Sequence, residues 1–584
     1  MSISPVALRD IEVLIIDCQA TGPHPEKSHL LEIGWGKFSL TDDETSEDFP
    51  IRAMRIAVPE NIKVPAAVQR VTGISSSALA KGIAQNQVWG LLETDLGLRS
   101  TDRDERMPTV IHFARYEEPY LRYLHLSSRD QSPFPLNILC TWEISRRLLP
   151  HLPRRGLRAI AGYLGYSVPE MRRAYHHVKA TASVWRTCVE MLGDEEGIST
   201  LKELQDWLQV PFKKRSTRKV YPMDSELRLN LPERPGVYRM LRSNGDILYV
   251  GKATSLKRRV NSYFQKQSRH PDHILEMLTQ AQSITVSPTA SAVEAALLES
   301  DEIKILSPPY NVALRTGERK IVFLSEDLSS AKASPDSIHI LGPFPSIKPF
   351  DVYANLVRLL EDPVQDLAEL FPSDLLDFSE EQIPDEDVFQ TGIRSFLDRH
   401  GSLMKRQPPG RGVARINAHL WREHLRRREE AAAKSSEEEK KKNKKARTPW
   451  EWTPKRVARA MESVLTRGSH LRRRSNWLCL LSESTICWES RSKKARHVHV
   501  IRVEGGQLAD RSSIEMGSTI PIPAGADKLT LQRQDDFDLQ TYDRLCVLTT
   551  ELKRLVSQNR NVVVRLSARR TIESHRLAHI LRWV

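Results

Sequence analysis

The sequence predicts an α/β multidomain protein, and three observations carry that expectation. Strand-like apolar runs alternate with helical patterns from residue 11 to about 205 and again beyond 231. The chain has 584 residues, which at roughly 150 residues per domain makes about four domains. Its 40% hydrophobic and 28% charged residues are a composition able to bury several cores.

Taken in order, IEVLII at 11–16 reads as a strand, Thr21-Gly22 as a turn and 29–40 as a second strand. Alternation continues to 205, and 206–230, with the basic run KKRSTRK, reads as a linker between a first domain (1–205) and a second (231–315). In the second, 237–241 and 247–250 flank Asn244-Gly245, a dipeptide that accepts the positive φ of a tight hairpin. A basic helix, a strand at 283–286 and the helical pattern AVEAALLESDEIKIL follow. Residues 316–410 read as a further α/β continuation and 411–449 as a charged linker or solvated helix, because its part from Trp421 to Arg447 is almost free of apolar side chains. The region 450–584 reads as a C-terminal α/β accessory domain, with strands at WLCLL and NVVVRL and a helix at LAHILRWV.

Composition excludes some functions. No stretch approaches the roughly 20 apolar residues of a bilayer span, so the expectation is a soluble, cytoplasmic, nucleoid-associated protein without a membrane partner. Six scattered cysteines with no C-x-x-C pair point to neither a zinc ribbon nor a disulfide framework. The 87 Lys+Arg exceed the 74 Asp+Glu by 13, a basic surplus suited to a polyanionic partner.

Asp17 ends a strand-like run, where a chemical carboxylate is often held, although alone it reads more readily as a turn residue. The landmarks DCQATG, VPAAVQRVTGIS, HFARYEEPYL and HHVKATA follow in order, and across 1–195 they resemble the DEDDh 3′-to-5′ exonucleases, the DNA polymerase III epsilon-like proofreading family. The resemblance implies a ribonuclease-H-like exonuclease fold whose four carboxylates bind two metal ions, with a histidine as general base. Here Asp17 and Glu117 match the first and third acids and His176 the histidine, but Gln19 and Thr181 stand at the other acidic positions. Two charges cannot neutralise two divalent cations, so this site is expected to be degenerate.

Residues 235–264, PGVYRMLRSNGDILYVGKATSLKRRVNSYF, together with TASAVEAALLESDEIKILSPPYNVALR, resemble the GIY-YIG nuclease domain in the form found in the excision-repair proteins UvrC and Cho. Phosphodiester hydrolysis needs a divalent cation, a base and cations for developing charge. Tyr238 and Tyr249 fall on adjacent strands of the hairpin, and Lys252 and Arg259 are seven residues apart, two turns if the segment between them is helical. The resemblance assigns Glu299 as the metal ligand, Tyr249 as general base assisted by Lys252, and Arg259 as the group facing the phosphate. Tyr238 is then a further active-site tyrosine and Asn311 a supporting polar residue. A single carboxylate implies one ion, Mg²⁺ or Mn²⁺.

HILGPFPSIKPFDVYANLVRLLE resembles the segment that follows the nuclease domain in UvrC, and the likeness then fades. Residues 320–470 contain no cysteine, which excludes a cysteine-ligated iron–sulfur cluster there. Arg258, Arg472, Arg473 and Arg474 are the candidate DNA-binding residues, while Trp450, Trp452, Trp477 and Trp488 read as packing residues. The resemblance thus implies a repair endonuclease that nicks damaged double-stranded DNA on the 3′ side of a lesion, with damage-loading proteins as partners. An active 3′-to-5′ exonuclease and a non-catalytic DNA-binding scaffold are the rival expectations.

Overall fold

The computed structural model describes residues 6–40, 49–59, 62, 64–97, 106–128, 133–167, 171–212, 220–265, 270–311, 320–372, 384–403, 415–427, 430, 451–490, 497–523, 537–582 and 584. The basic run KKRSTRK, Trp450 and the lysine-rich stretch after residue 430 lie outside them. Two compact units emerge, one of Met1–Ala295 with Ile305–Arg315 and one of Ala296–Lys304 with Thr316–Val584.

The first unit begins with a five-stranded sheet built from β1 (Val13–Ala20), β2 (Leu30–Phe38), β3 (Arg52–Arg55), β4 (Met107–Ile111) and β5 (Leu136–Cys140). Its order is β3-β2-β1-β4-β5, with β1 antiparallel to β2 and parallel to β4. Central β1 is buried along nearly its whole length and apolar over Val13–Ile16, because it is covered on both faces. Val13 and Ile15 join a core that includes Val178, Val184 and Trp185 of the Ala174–Glu196 helix. Leu14, Ile16 and Cys18 face Trp89, Tyr120 and Leu121. The period of two therefore sends Asp17 and Gln19 to the side of the Ala174–Glu196 helix.

The same unit holds a second, three-stranded antiparallel sheet of β6 (Gly236–Leu241), β7 (Ile247–Ala253) and β8 (Ser283–Pro288), with β6 central. The hairpin turns at Gly245, whose φ of 88° explains the glycine, and closes with the Arg242 N–H donating to Asp246 O at 2.9 Å. The Leu157–Tyr163 helix of the first module packs on the Asp272–Gln280 helix of the second. Polar groups fill that junction. Arg242 Nε donates to Gln280 Oε1 at 3.0 Å, Gln280 Nε2 to Tyr310 Oη at 2.5 Å, and Gln282 Nε2 to Tyr163 O at 3.1 Å. A Cβ on Gly162 would overlap the Gln280 amide, so only glycine allows this approach.

The second unit contains a small sheet, β9 (Val322–Leu324), β10 (Ala331–Lys332) and β11 (Leu341–Phe344), and a five-stranded antiparallel one. The latter comprises β12 (Ser484–Glu489), β13 (His497–Glu504), β14 (Gln507–Glu515), β15 (Val562–Arg565) and β16 (Thr571–Ile572), in the order β14-β13-β12-β15-β16. β15 matches the strand expected at NVVVRL, and the Ser574–Leu581 helix overlaps the one expected at LAHILRWV but begins three residues earlier. WLCLL, expected as a strand, is the last part of the 28-residue Pro454–Leu481 helix, which buries Trp477, Leu478 and Leu481. A five-residue apolar run has no period of its own, and the helix running into it decides its state.

The expected boundary at 450 also changes. Val457, Ala458, Met461 and Leu465 of the Pro454–Leu481 helix complete one core with Val352 and Leu356 and with Phe389, Ile393 and Phe396 of the Glu386–His400 helix. Gly392 lets the two helices meet, since a Cβ there would stand 2.5 Å from Val457 Cβ. Residues on both sides of the charged stretch therefore belong to one packed body. Among the described residues no helix is long and apolar enough to cross a membrane.

Candidate active site

The first module brings three of its five predicted residues, Asp17, Gln19 and Glu117, to the end of β1, and a neighbour takes the place of a fourth. His177, rather than His176, meets Asp17, with Nδ1 3.0 Å from Oδ1. His176 is exposed and edges against Tyr175. Consecutive helical residues diverge by about 100°, and His177 shares its face with the fully buried Thr181 four positions on. That i, i+4 relation was the available signal for His177. The Glu117 carboxylate accepts the Cys18 backbone N–H at 3.0 Å, and Gln19 Nε2 donates to Arg172 O at 2.9 Å.

Electrostatics here disfavour a multiply charged site. Burial, and then the neighbouring Asp17, push the Glu117 carboxyl well above its ordinary value. Burial works against charge on His177, but the Asp17 carboxylate outweighs it and raises the imidazole above its usual value. Asp17 Oδ2 and Gln19 Oε1 are buried with no hydrogen-bond partner among the described residues. With two carboxylates, one of them driven toward its neutral form, this donor set does not fit a pair of divalent cations.

The second module builds its site around a glycine. In the β6–β7 ladder Tyr238 lies opposite Gly251, and Met240 opposite Tyr249. The Tyr238 and Tyr249 rings pack over the gap with centroids 6.1 Å apart, and a Cβ on Gly251 would stand 2.5 Å from Tyr238 Oη and 2.7 Å from a Tyr249 ring carbon. Tyr238 is fully buried, and its hydroxyl is 3.0 Å from that of Tyr263, which accepts from Arg259 Nη2 at 3.1 Å. Burial, and then the adjacent tyrosines, push the Tyr238 hydroxyl well above its ordinary value, so it keeps its proton. Tyr263 carries the link between Tyr238 and Arg259, yet it was not singled out in the sequence. Its position four residues after Arg259 on a basic helix was the signal.

Lys252 and Arg259 are not two turns apart on one helix. The ladder keeps Lys252 in β7 opposite Val237, and the Leu256–Ser262 helix starts only after Ser255, whose side chain caps the Arg258 N–H. Asn311 sits beside the other edge of β7. Its Oδ1 accepts the Val250 N–H at 3.0 Å and its Nδ2 donates to Val250 O at 2.9 Å, a two-bond clasp that continues the sheet with a side chain. Glu299 is half-buried on the Ala292–Leu306 helix, within the segment Ala296–Lys304 of the second unit. One carboxylate leaves most of a coordination sphere to water and phosphate oxygens, which suits Mg²⁺ or Mn²⁺.

Beside Arg259 lies an open groove of about 760 Å³ lined by Arg228, Lys257, Arg258, Arg259, Glu233 and Phe264 among others. Arg228 is held there by Asn261 Oδ1 at 2.6 Å and lies over the Phe264 ring at 4.8 Å. The other predicted DNA-binding arginines divide. Arg472 and Arg473 are exposed, Arg473 lying over Trp421, but Arg474 turns inward and donates to Cys546 Sγ at 3.0 Å. Three consecutive helical residues fan over about 200°, so they cannot all face one ligand. Trp477 and Trp488 are buried, and Trp477 Nε1 donates to Thr549 Oγ1 at 3.1 Å.

Residues 234–312 match the family model of the UvrC-like GIY-YIG domain. Among curated proteins, the UvrABC system protein C of Legionella pneumophila strain Lens is 44% identical over 125 residues, 20% of this chain and 20% of that protein. Among solved structures, the GIY-YIG N-terminal endonuclease domain of UvrC from Thermotoga maritima, bound to its catalytic magnesium, is 31% identical over 15% of this chain and all of that one, with a TM-score of 0.14. Exonuclease X in complex with 5′-overhanging duplex DNA aligns with 34% of this chain at 14% identity and a TM-score of 0.24. The chain spans about one fifth of the length of the curated relatives it matches, and the family match is that of one domain, residues 234–312.

Proposed function

We propose that the chain is a metal-dependent DNA endonuclease of the UvrC type that nicks damaged duplex DNA during excision repair. The observation that carries this reading is the packed Tyr238–Tyr263–Arg259 chain beside Tyr249, assembled around Gly251 within the matched domain. Glu299 would hold the divalent cation, which would supply Lewis-acid polarisation of the scissile phosphate. Tyr249, assisted by Lys252, takes the proton of the attacking water. Arg259, fixed by Tyr263, offers its remaining N–H groups to charge developing on the phosphate. Tyr238 stays protonated and anchors Tyr263, while Asn311 holds the β7 backbone between Tyr249 and Gly251. The cation-lined groove with Arg258 gives the flanking phosphates a place to lie.

In this reading the first module has a ribonuclease-H-like fold, supported by its β3-β2-β1-β4-β5 order with an antiparallel second strand. It acts as a holding module rather than a second nuclease, which the loss of two carboxylates and the upward shift at Glu117 support. Damage-loading proteins of excision repair are the proposed partners, and the basic surplus suits a protein that works on DNA in the cytoplasm.

The test is cleavage of an end-labelled duplex carrying one bulky adduct, with Mg²⁺ or Mn²⁺, with and without damage-loading proteins. A discrete nick lost in Glu299→Gln and kept in Asp17→Ala is the expected result. A ladder of products lost in Asp17→Ala would transfer the activity to the first module, and intact duplex under every condition would leave a DNA-binding scaffold.

A further inference from the structure

The helix that carries Glu299 is gripped from its other side. Within the second unit, Asp301 Oδ1 is 3.0 Å from Arg544 Nη2, and Lys304 Nζ is 3.3 Å from Asp543 Oδ2. Asp543 and Arg544 are neighbours on the Leu539–Ser557 helix, whose N-terminus is capped by Asp538. The pairs are shielded from water, with side-chain exposures of 6% for Lys304, 4% for Asp543, 8% for Arg544 and 24% for Asp301. Each cation is held a second time. Lys304 donates to Gln540 O at 3.3 Å and Arg544 to the Gln507 side chain on β14.

Geometry separates this grip from Glu299. At about 100° per residue, Asp301 and Lys304 lie roughly 60° apart on one face of the Ala292–Leu306 helix. Glu299 lies about 160° from Asp301 and about 140° from Lys304, on the opposite face. Two ion pairs one turn apart fix both the rotation of a helix about its axis and its position along it. A single pair would leave the helix free to pivot, and apolar contact alone would define its rotation less sharply.

Resting on the reading of Glu299 as the metal ligand, we propose that Asp543 and Arg544 are positioning residues for that carboxylate. The Leu539–Ser557 helix, in a region with no counterpart in the matched domain, sets where Glu299 presents its oxygens.

The experiment uses the full chain with the variants Glu299→Gln, Arg544→Met, Arg544→Lys and the exchanged pair Asp301→Arg/Arg544→Asp. Mn²⁺ affinity is read by electron paramagnetic resonance, and amide hydrogen exchange is read across 296–304. DNA affinity is measured in chelator, and folding is checked by circular dichroism. Arg544→Met is expected to weaken Mn²⁺ binding about tenfold and to speed exchange across 296–304, with DNA affinity unchanged. The exchanged pair is expected to recover most of the Mn²⁺ affinity. If Arg544→Met fails to fold, Arg544→Lys gives the same comparison with the charge kept and the second hydrogen bond lost. A folded Arg544 variant with wild-type Mn²⁺ affinity overturns the proposal, as does an exchanged pair that restores thermal stability without restoring affinity. Mn²⁺ affinity unchanged by Glu299→Gln overturns the metal assignment itself, and the positioning proposal falls with it.

Discussion

Gly251 concentrates the demands of the candidate active site in one position. Its missing side chain is the space into which Tyr238 and Tyr249 pack, so Gly251→Ala forces both rings aside. Overpacking of this kind costs about 1–3 kcal/mol, and displacement of a reacting group by about 1 Å can cost 10²-fold in rate. Gly251→Ala is expected to lower the melting temperature modestly and cleavage by about tenfold or more, and comparing the two measurements separates active-site distortion from unfolding. His177 offers a second prediction. Its imidazole is raised above the ordinary value of 6.5 by Asp17, so the pair stabilises the fold fully below that pH and loses its contribution as pH rises through the raised value. The melting-temperature gap between wild type and His177→Ala should therefore be larger at pH 6 than at pH 9. A gap independent of pH would assign His177 to packing alone.

At the scale of elements, β7 is held along both of its edges. β6 pairs with one edge, and beside the other the Asn311 side chain serves the Val250 N–H and C=O. Asn311→Ala removes two buried hydrogen bonds and strands backbone groups, a cost of about 2–3 kcal/mol. Thermal unfolding should show that loss, and cleavage should fall with it because the strand carries Tyr249. The family resemblance singles out the asparagine, but its role as a strand-edge clasp was not legible in the sequence, since a side chain's partner 61 residues away is decided by packing. The misread WLCLL segment makes the complementary point. Its apolar character was correct, but its state was set by a helix that begins 23 residues earlier.

For the molecule as a whole, the two modules of the first unit are joined by buried polar groups rather than by a loose tether. Arg242 is 2% exposed and donates from Nε to Gln280 and from Nη1 to Asp246, close to the glycine at 162. Gly162→Leu is expected to force the Leu157–Tyr163 and Asp272–Gln280 helices apart. The result should be a lower melting temperature and faster proteolysis in the 205–230 connection, read by limited digestion. The basic surplus also predicts strong salt dependence of DNA binding, with the slope of log affinity against log salt falling by about 1 for each phosphate-contacting cation removed from the groove.

The local sequence was enough to determine the hairpin of β6 and β7 with its turn at Gly245, and the central strand β1. These depend on short-range periodicity, turn chemistry and side-chain type, all of which are written within a few residues of one another. Tertiary structure alone decided that His177 rather than His176 meets Asp17, that Tyr263 links Tyr238 to Arg259, that Arg474 turns away from solvent, and that the Pro454–Leu481 helix completes a core begun a hundred residues earlier. The reason is that a helix's rotation and a side chain's partner are set by what packs against them, and in each of these cases part of that packing comes from another part of the chain.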